Sequence, residues 1–214
     1  MATLLIADDH FIIRTGLKLI IENFMPHSKI DEAHDGDSAF EKIKENNYDL
    51  LILDITMPNT DSFGLIRKIL ALKPGMKILM FSMSDEEVYA KRYLKMGVMG
   101  YLKKDEPEAE IKKAISTVLN NKKYVSPVLS QILIEDLHSN NPENPFDRLS
   151  PREFEIVRHL IRGESVAEIC QKLTLHSSTV GTHKARIFEK LKYSNIIDLH
   201  ALAKVHNINT LSHS

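Results

Sequence analysis

Five candidate strands alternate with five helical patterns over the first 120 residues, and this alternation constrains the fold more than any other feature of the chain. Four of the candidates are short apolar runs, at 3–7, 48–53, 76–81 and 98–102, and the weaker one at 29–34 alternates apolar with polar residues. Between them, apolar residues recur every three or four positions, which is the spacing of an amphipathic helix. Strands that alternate with helices predict an α/β domain with a parallel sheet. Nearly continuous apolar strands indicate a sheet that is covered on both faces.

The pattern changes after residue 121. Residues 127–137 predict one further helix, and the turn-forming residues at 138–145 indicate an interdomain linker. Four closely spaced helical patterns without a strand follow, at 149–161, 165–173, 177–191 and 195–205. We therefore expect an α/β domain at 1–122, a linker with a helix at 123–145 and an all-α domain at 146–214.

The composition argues against a disulfide-linked scaffold and against a membrane-spanning protein. A single Cys excludes an internal disulfide and favours a reducing compartment. No apolar run reaches the roughly 20 residues that span a bilayer, and two acids interrupt the amino-terminal apolar stretch. We therefore expect a cytoplasmic protein without membrane contact. Residues 146–214 hold ten Lys or Arg against seven Asp or Glu, which fits a nucleic-acid surface but is weak support by itself.

Polar side chains stand at the carboxyl ends of the predicted strands, namely Asp8, Asp9, Asp54, Ser82 and Lys104. The carboxyl ends of parallel strands meet at one edge of a sheet, where ligands bind. Three neighbouring carboxylates need a counter-charge, and carboxylate oxygens suit Mg²⁺. A carboxylate can also attack phosphorus and form an aspartyl phosphate. Alternatively, these are ordinary polar residues of turns. This alternative explains any one of the five residues, but it does not explain well why all five stand at strand ends.

These residues, with the motifs Asp54-Ile55-Thr56-Met57-Pro58 and Gly100-Tyr101-Leu102-Lys103-Lys104-Asp105, resemble the receiver domain of two-component systems over about residues 1–120. The resemblance implies a flavodoxin-like, doubly wound, five-stranded parallel sheet with Asp54 as the phosphoacceptor. It implies that Mg²⁺ is held by Asp8, Asp9, Asp54 and the backbone carbonyl of Thr56.

The same resemblance implies the residues that respond to phosphorylation. Ser82 would bond the phosphoryl group, and Lys104 would pair with it. Lys103 is a competing candidate, but Lys104 is preferred because Tyr101 then falls at the family's switch aromatic, which moves inward. One departure is Ser62, where the family usually has Gly. Because Ser adopts a positive φ only at a cost, we expect a reshaped loop there.

Residues 177–191 place Val180, Ile187 and Leu191 on one helical face and short polar residues on the opposite arc. With the short helix before it, this segment predicts a helix-turn-helix unit whose second helix enters the major groove, capped by Ser177 or Ser178. Residues 146–208 resemble the LuxR-type DNA-binding domain, on Leu149-Ser150-Pro151-Arg152-Glu153, Gly163, Ser178-Thr179-Val180 and Lys190-Leu191. The whole chain is thereby identified as a member of the NarL/FixJ class of response regulators.

The resemblance implies that Gly181, Thr182 and Ala185 face base edges, while Lys184, Arg186 and Thr179 contact phosphates. Gly181 and Ala185 offer no side-chain hydrogen bonds to bases, so we expect modest direct readout and a larger share from phosphate contacts and DNA shape. Alternatively, Gly181 is a tolerated helix glycine. The last helix carries apolar residues on more than one face, and the resemblance implies a homodimer.

The function implied is that of a transcription regulator that a sensor histidine kinase phosphorylates and that binds double-stranded promoter DNA. It implies no enzymatic activity apart from phosphotransfer to itself and autodephosphorylation. Two alternatives stay open. A Mg²⁺-dependent phosphatase could use Asp54 as its nucleophile, although Thr56 lacks the carboxyl group of a general acid. A constitutive DNA binder could carry a vestigial receiver.

Overall fold

The computed structural model describes residues 1–58, 60–84, 86–138, 144–173, 175–206 and 208. The chain forms two compact units, residues 1–139 and 140–214. Residues 139–143 of the predicted linker lie outside the described residues. Among the described helices, none is both long and apolar enough to cross a membrane.

A five-stranded parallel sheet forms the centre of the first unit. The strands are β1 Thr3–Ala7, β2 Lys29–Ala33, β3 Leu50–Leu53, β4 Ile78–Ser82 and β5 Gly100–Lys103. They lie in the order β2-β1-β3-β4-β5, and every neighbouring pair is parallel. This is the flavodoxin-like order, whose direction of winding reverses between β1 and β3. The predicted fold class is confirmed.

Five helices cover the two faces of this sheet: α1 Phe11–Phe24, α2 Gly36–Glu45, α3 Ser62–Leu72, α4 Glu86–Lys95 and α5 Glu108–Leu119. Side chains alternate between the faces along a strand, so both faces of β1 need cover. Leu4 and Ile6 are buried in the core under α1 and α5, and Leu5 between them is equally buried. This double cover explains why β1, β3 and β4 are nearly continuous apolar runs.

The helix predicted at 127–137 is present as α6 Pro127–His138. The hydroxyl of Ser126 accepts a hydrogen bond of 3.0 Å from the N–H of Leu129, which caps the helix. α6 packs against α4, and it therefore belongs to the first compact unit.

The second unit is helical in all its described elements: a 3-10 helix at Pro145–Arg148, then α7 Pro151–Ile161, α8 Val166–Leu173, α9 Ser177–Leu191 and α10 Ile196–Val205. A capping box begins α7, because Ser150 and Glu153 each accept the other's backbone N–H. Its core is apolar and fully buried and includes Phe146, Val157, Ile169, Val180 and Ile187.

The predicted cap of α9 is wrong. His176 is the N-cap residue and makes no side-chain capping bond, so Ser177 and Ser178 lie in the first turn. The helix starts there because the carbonyl of His176 already accepts the N–H groups of Thr179 and Val180, at 3.0 and 3.1 Å.

Candidate functional site

The carboxyl edge of the sheet brings the predicted pocket residues together. Asp8 and Asp9 follow β1, Asp54 follows β3, Ser82 ends β4 and Lys104 follows β5. Asp8 is 2% exposed and Asp54 is 1% exposed. Two buried carboxylates at the same edge of the sheet repel each other unless a cation lies between them.

Lys104 supplies that cation in the pocket as it stands. Its Nζ lies 2.7 Å from Asp8 Oδ2 and 2.9 Å from Asp54 Oδ2, and its side chain is almost fully buried. Lys103, the competing candidate, pairs instead with the exposed Asp105 at 3.5 Å. The two lysines differ because side chains alternate along β5 and its extension, so only one of them faces the pocket.

Burial and the ion pairs have opposite effects on the pKa values of Asp54 and Lys104. Burial raises the pKa of Asp54 above its ordinary value, and the ammonium of Lys104 offsets only part of this effect. Burial alone would lower the pKa of Lys104, but the carboxylates of Asp8 and Asp54 outweigh it and raise that pKa. The lysine therefore stays charged.

The donor set at this edge fits Mg²⁺. Asp8, Asp9, His10 and Asp54 each place one potential ligand atom within 4.8 Å of the others. Asp9 Oδ1 is buried and accepts no hydrogen bond from the described residues. Its close neighbour is His10 Nδ1, at 3.0 Å. His10 is the N-cap residue of α1 and is largely exposed, so carboxylate oxygens, which suit a hard cation, dominate the set.

A chain of hydrogen bonds connects Ser82 with the predicted switch residue. Ser82 is fully buried, and its hydroxyl accepts the N–H of Ser84 at 3.1 Å. The carbonyl of Ser84 accepts a hydrogen bond of 2.8 Å from the Tyr101 hydroxyl. The Tyr101 ring is already fully buried in this state, and burial raises the pKa of its hydroxyl. The Tyr101 side chain is therefore already inside the protein in this state, so the expected movement from an exposed to a buried position is not available to it.

The backbone at Ser62 does not adopt the positive φ that a glycine would allow. Among the described residues, positive φ occurs at two non-glycine positions, Asn121 and Lys192. Ser62 is the first residue of α3, is 5% exposed, and donates a hydrogen bond from its hydroxyl to the carbonyl of Ile55. Asn59, in the same loop, lies outside the described residues.

Arg14 is a further residue that holds the pocket, and the sequence pattern does not single it out. Its guanidinium donates to the carbonyl of Asp8 at 2.7 Å and to Glu32 Oε2 at 3.1 Å, which fastens the loop after β1 to β2. Nothing in the local pattern around Arg14 pointed to this role, because both partners come close only when β1 and β2 pair.

The second unit presents a face of mostly short side chains on α9. Gly181, Thr182, Ala185 and Arg186 are exposed, whereas Thr179 and Lys184 are partly buried. Val180, Ile187 and Leu191 are buried on the opposite side, as the periodicity predicts. A Cβ added at Gly181 would meet no atom within 4 Å, so packing inside this chain does not require glycine there.

α10 leaves part of its apolar surface uncovered by the described residues of its unit. Leu199 and Ala203 are buried, whereas Ile197 and Val205 are about three-quarters exposed. Such a surface is typical of a helix that packs against a second partner.

Comparisons with known proteins cover both units. The family model of the response regulator receiver domain matches residues 4–116, more than half of the chain. The model of the bacterial regulatory proteins of the luxR family matches residues 147–203.

Relatives and solved structures span nearly the whole chain. The sequence is 36% identical over 197 residues to the oxygen regulatory protein NreC of Staphylococcus carnosus, covering 88% of this chain and 90% of that protein. It is 30% identical over 216 residues to the response regulator UvrY of Escherichia coli, covering 99% of each. The structure is similar to that of RcsB from Salmonella enterica serovar Typhimurium bound to promoter rprA in the presence of phosphomimetic BeF3⁻. Its TM-score is 0.64 at 25% identity, and the match covers 95% of this chain and 98% of that one.

Proposed function

The chain belongs to the NarL/FixJ class of response regulators, which join a receiver domain to a LuxR-type DNA-binding domain, and we propose that phosphorylation of Asp54 controls its binding to promoters. We assign residues 1–122 to the receiver, 123–145 to a linker that contains α6, and 146–214 to the DNA-binding domain. The observation that carries the proposal is the buried Asp54 carboxylate between the acidic pair and Lys104.

Asp54 acts as the nucleophile in this proposal. One of its carboxylate oxygens bonds to phosphorus while the bond from phosphorus to the donor's imidazole nitrogen breaks, and the imidazole leaves with that electron pair. Lys104 places its ammonium beside Asp54 Oδ2, where it pairs with the new charge. Its raised pKa keeps that ammonium protonated.

Asp8, Asp9, Asp54 and the carbonyl of Thr56 would hold Mg²⁺ at this site. The bound ion supplies a Lewis acid that neutralises the charge on the phosphoryl oxygens. Two of these carboxylates, Asp8 and Asp54, pair with the ammonium of Lys104.

Ser82 and Tyr101 are the residues that transmit the change. When the Ser82 hydroxyl turns to the phosphoryl group, it gives up its bond with the N–H of Ser84. The carbonyl of Ser84 holds the Tyr101 hydroxyl, so the segment between β4 and α4 is rearranged together with the buried ring. This rearrangement biases an equilibrium between two states of the protein.

The exposed face of α9 is the proposed DNA surface. Gly181, Thr182 and Ala185 would approach base edges, and Arg186 would bind phosphate with Lys184 and Thr179 at the rim. The solved RcsB complex with promoter rprA, which this structure resembles, supports DNA as the partner. The apolar surface of α10 supports a homodimer that reads two half-sites. Since promoter DNA is the proposed partner, we propose that the protein acts in the cytoplasm.

A sensor histidine kinase is the proposed phosphodonor, and α1 offers it a surface. The helix begins directly after the acidic pair, and its side chains Phe11, Ile12 and Leu19 are more than half exposed. A partner that docks on this apolar surface would bring its phosphohistidine to the mouth of the pocket.

The test measures phosphorylation, oligomeric state and DNA binding together. Wild type treated with acetyl phosphate and Mg²⁺ should form dimers and bind selected promoter fragments about tenfold or more tightly, with an affinity that falls steeply with salt. Asp54→Asn should not respond. The matched control Asp61→Asn changes another acid of the same loop and should respond as wild type does.

Two outcomes would contradict the proposal. Unchanged DNA affinity and oligomeric state after verified phosphorylation would identify a vestigial receiver. Sustained turnover of phosphomonoesters would identify a phosphatase, which the lack of a carboxyl group at Thr56 disfavours.

A further inference from the structure

We propose that Ser62 is a positioning residue for phosphoryl transfer, which acts on Asp54 through the peptide group that joins Ile55 and Thr56. Its side chain is buried at the start of α3, and its hydroxyl donates to the Ile55 carbonyl across seven positions of the chain. This inference rests on the proposed role of Asp54.

The peptide group between Ile55 and Thr56 has contacts on both sides. Its carbonyl accepts the Ser62 hydroxyl, and its N–H, from Thr56, helps to hold the pKa of the Asp54 carboxyl down against the larger effect of burial. In a planar trans peptide the C=O and the N–H point in opposite directions. A hydrogen bond that fixes the carbonyl therefore fixes the direction of the N–H that Asp54 receives.

The hydroxyl of Thr56 adds a second contact from the same residue. Its Oγ1 lies 3.4 Å from Asp54 Oδ1 and 3.3 Å from Asp54 Oδ2. The orientation of Thr56 thus governs two donors to the phosphoacceptor, and it also governs the Thr56 carbonyl, which is proposed to hold Mg²⁺. Ser62 sets that orientation from outside the pocket.

Glycine at position 62 could not make this contact. The pattern that this chain otherwise follows usually has Gly there, and Gly offers no hydroxyl to the Ile55 carbonyl. A second hydroxyl of the same loop fastens it to the start of α2, since Thr60 Oγ1 donates to the Pro58 carbonyl at 3.1 Å and accepts the N–H of Gly36 at 3.0 Å. The chain therefore holds this loop with side-chain hydroxyls.

Removal of the Ser62 hydroxyl should weaken Mg²⁺ binding and slow phosphorylation. Loss of a residue that orients a metal ligand typically lowers the metal affinity 10–100-fold. Because Ser62 acts through one intervening peptide group, we expect a loss of Mg²⁺ affinity of roughly tenfold for Ser62→Ala and Ser62→Gly. Ser62→Thr keeps the hydroxyl and should remain near wild type in both quantities.

The experiment measures Mg²⁺ affinity of the unphosphorylated full chain by calorimetry and, separately, the rate of phosphorylation by acetyl phosphate. The matched control is Ser28→Ala, which removes a serine hydroxyl bonded to the Met25 carbonyl just before β2, at the opposite edge of the sheet. This control should leave the Mg²⁺ affinity and the rate unchanged.

Equal Mg²⁺ affinity in wild type, Ser62→Ala and Ser62→Gly would overturn the proposal, as would an equal loss in Ser28→Ala. If Ser62→Thr does not fold, the comparison of the Ala and Gly variants with wild type still decides. A wild-type protein that neither binds Mg²⁺ nor accepts a phosphoryl group would instead contradict the proposed function.

Discussion

Ser126 donates a hydrogen bond of 2.8 Å from its hydroxyl to Glu86 Oε2, and both side chains are buried although they are 40 positions apart. Glu86 is the first residue of α4, and Ser126 caps α6. The bond therefore joins the start of the helix that follows the Ser82–Ser84 segment to the start of the linker helix. A rearrangement near Ser82 has a direct route to α6.

Ser126→Ala should loosen α6 in the unphosphorylated protein. The variant loses both the cap and the bond to Glu86, and loss of a cap alone costs about 1 kcal/mol. Hydrogen exchange followed by mass spectrometry should show faster exchange of the first turns of α6, with unchanged exchange in β1 and β3. Exchange in α6 as slow as in wild type would show that this contact does not hold the helix.

Lys104→Gln should make the protein depend on Mg²⁺ for stability. The variant leaves the buried carboxylates of Asp8 and Asp54 without a cation, a change that typically costs about 3–5 kcal/mol, and a bound divalent ion restores the counter-charge. Thermal unfolding with and without saturating Mg²⁺ should show a larger gain in the variant than in wild type.

Lys103→Gln is the matched control for this measurement, because its ammonium pairs with an exposed carboxylate. It should change the unfolding free energy by no more than about 0.5 kcal/mol. A Lys104→Gln protein that gains no more from Mg²⁺ than wild type does would contradict the assigned role of the ammonium.

Glu153→Gln should remove an acid-sensitive part of the stability of the second unit. Burial alone would raise the pKa of Glu153, but the Lys190 ammonium at 2.6 Å and the Ser150 N–H outweigh it and lower that pKa below 4.5. Because the folded-state pKa is the lower one, this stabilisation is present above pH 4.5 and is lost as the pH falls through the folded-state value.

Urea unfolding of the full chain, followed through NMR signals of α7 at several pH values, measures this effect. The unfolding free energy of wild type should exceed that of Glu153→Gln by about 1–2 kcal/mol at neutral pH, and the difference should shrink in acid. Glu189→Gln, an exposed glutamate on α9, should show no such pH-dependent difference. A constant gap between wild type and Glu153→Gln would rule out the titration.

Gly181→Ala should stabilise α9 and weaken DNA binding. No atom lies within 4 Å of the added Cβ, so the helix gains up to about 1 kcal/mol, while the added methyl group hinders close approach to DNA. Gly16→Ala on α1 has the same open surroundings and should give the stability gain alone. Unchanged affinity and site preference in Gly181→Ala would identify a tolerated helix glycine.

The sheet was predictable because four of its five strands are apolar runs that end in polar residues, as at Asp8 and Asp54. Individual strand ends were less predictable, since they depend on pairing. β4 extends to Ser82 because that residue pairs with Lys103 of β5, a partner 21 positions away. The buried residues of the amphipathic helices were also predictable from a local pattern, because apolar residues recur there every three or four positions.

The contacts that hold the pocket loops could not be predicted from local pattern. Arg14 finds Glu32 only after β1 and β2 pair, and Ser62 finds the Ile55 carbonyl only after α3 begins beside β3. The reshaped loop expected at Ser62 followed from the conformational freedom of glycine, and the backbone at Ser62 has no positive φ. Such contacts depend on tertiary adjacency rather than on spacing along the chain.

The mass of the intact protein after incubation with acetyl phosphate and Mg²⁺ decides whether Asp54 is the phosphoacceptor. Wild type should gain about 80 Da, one PO₃H unit, and Asp54→Asn should gain none. Wild type that never gains this mass, or an Asp54→Asn protein that gains it equally, would contradict Asp54 as the phosphoacceptor.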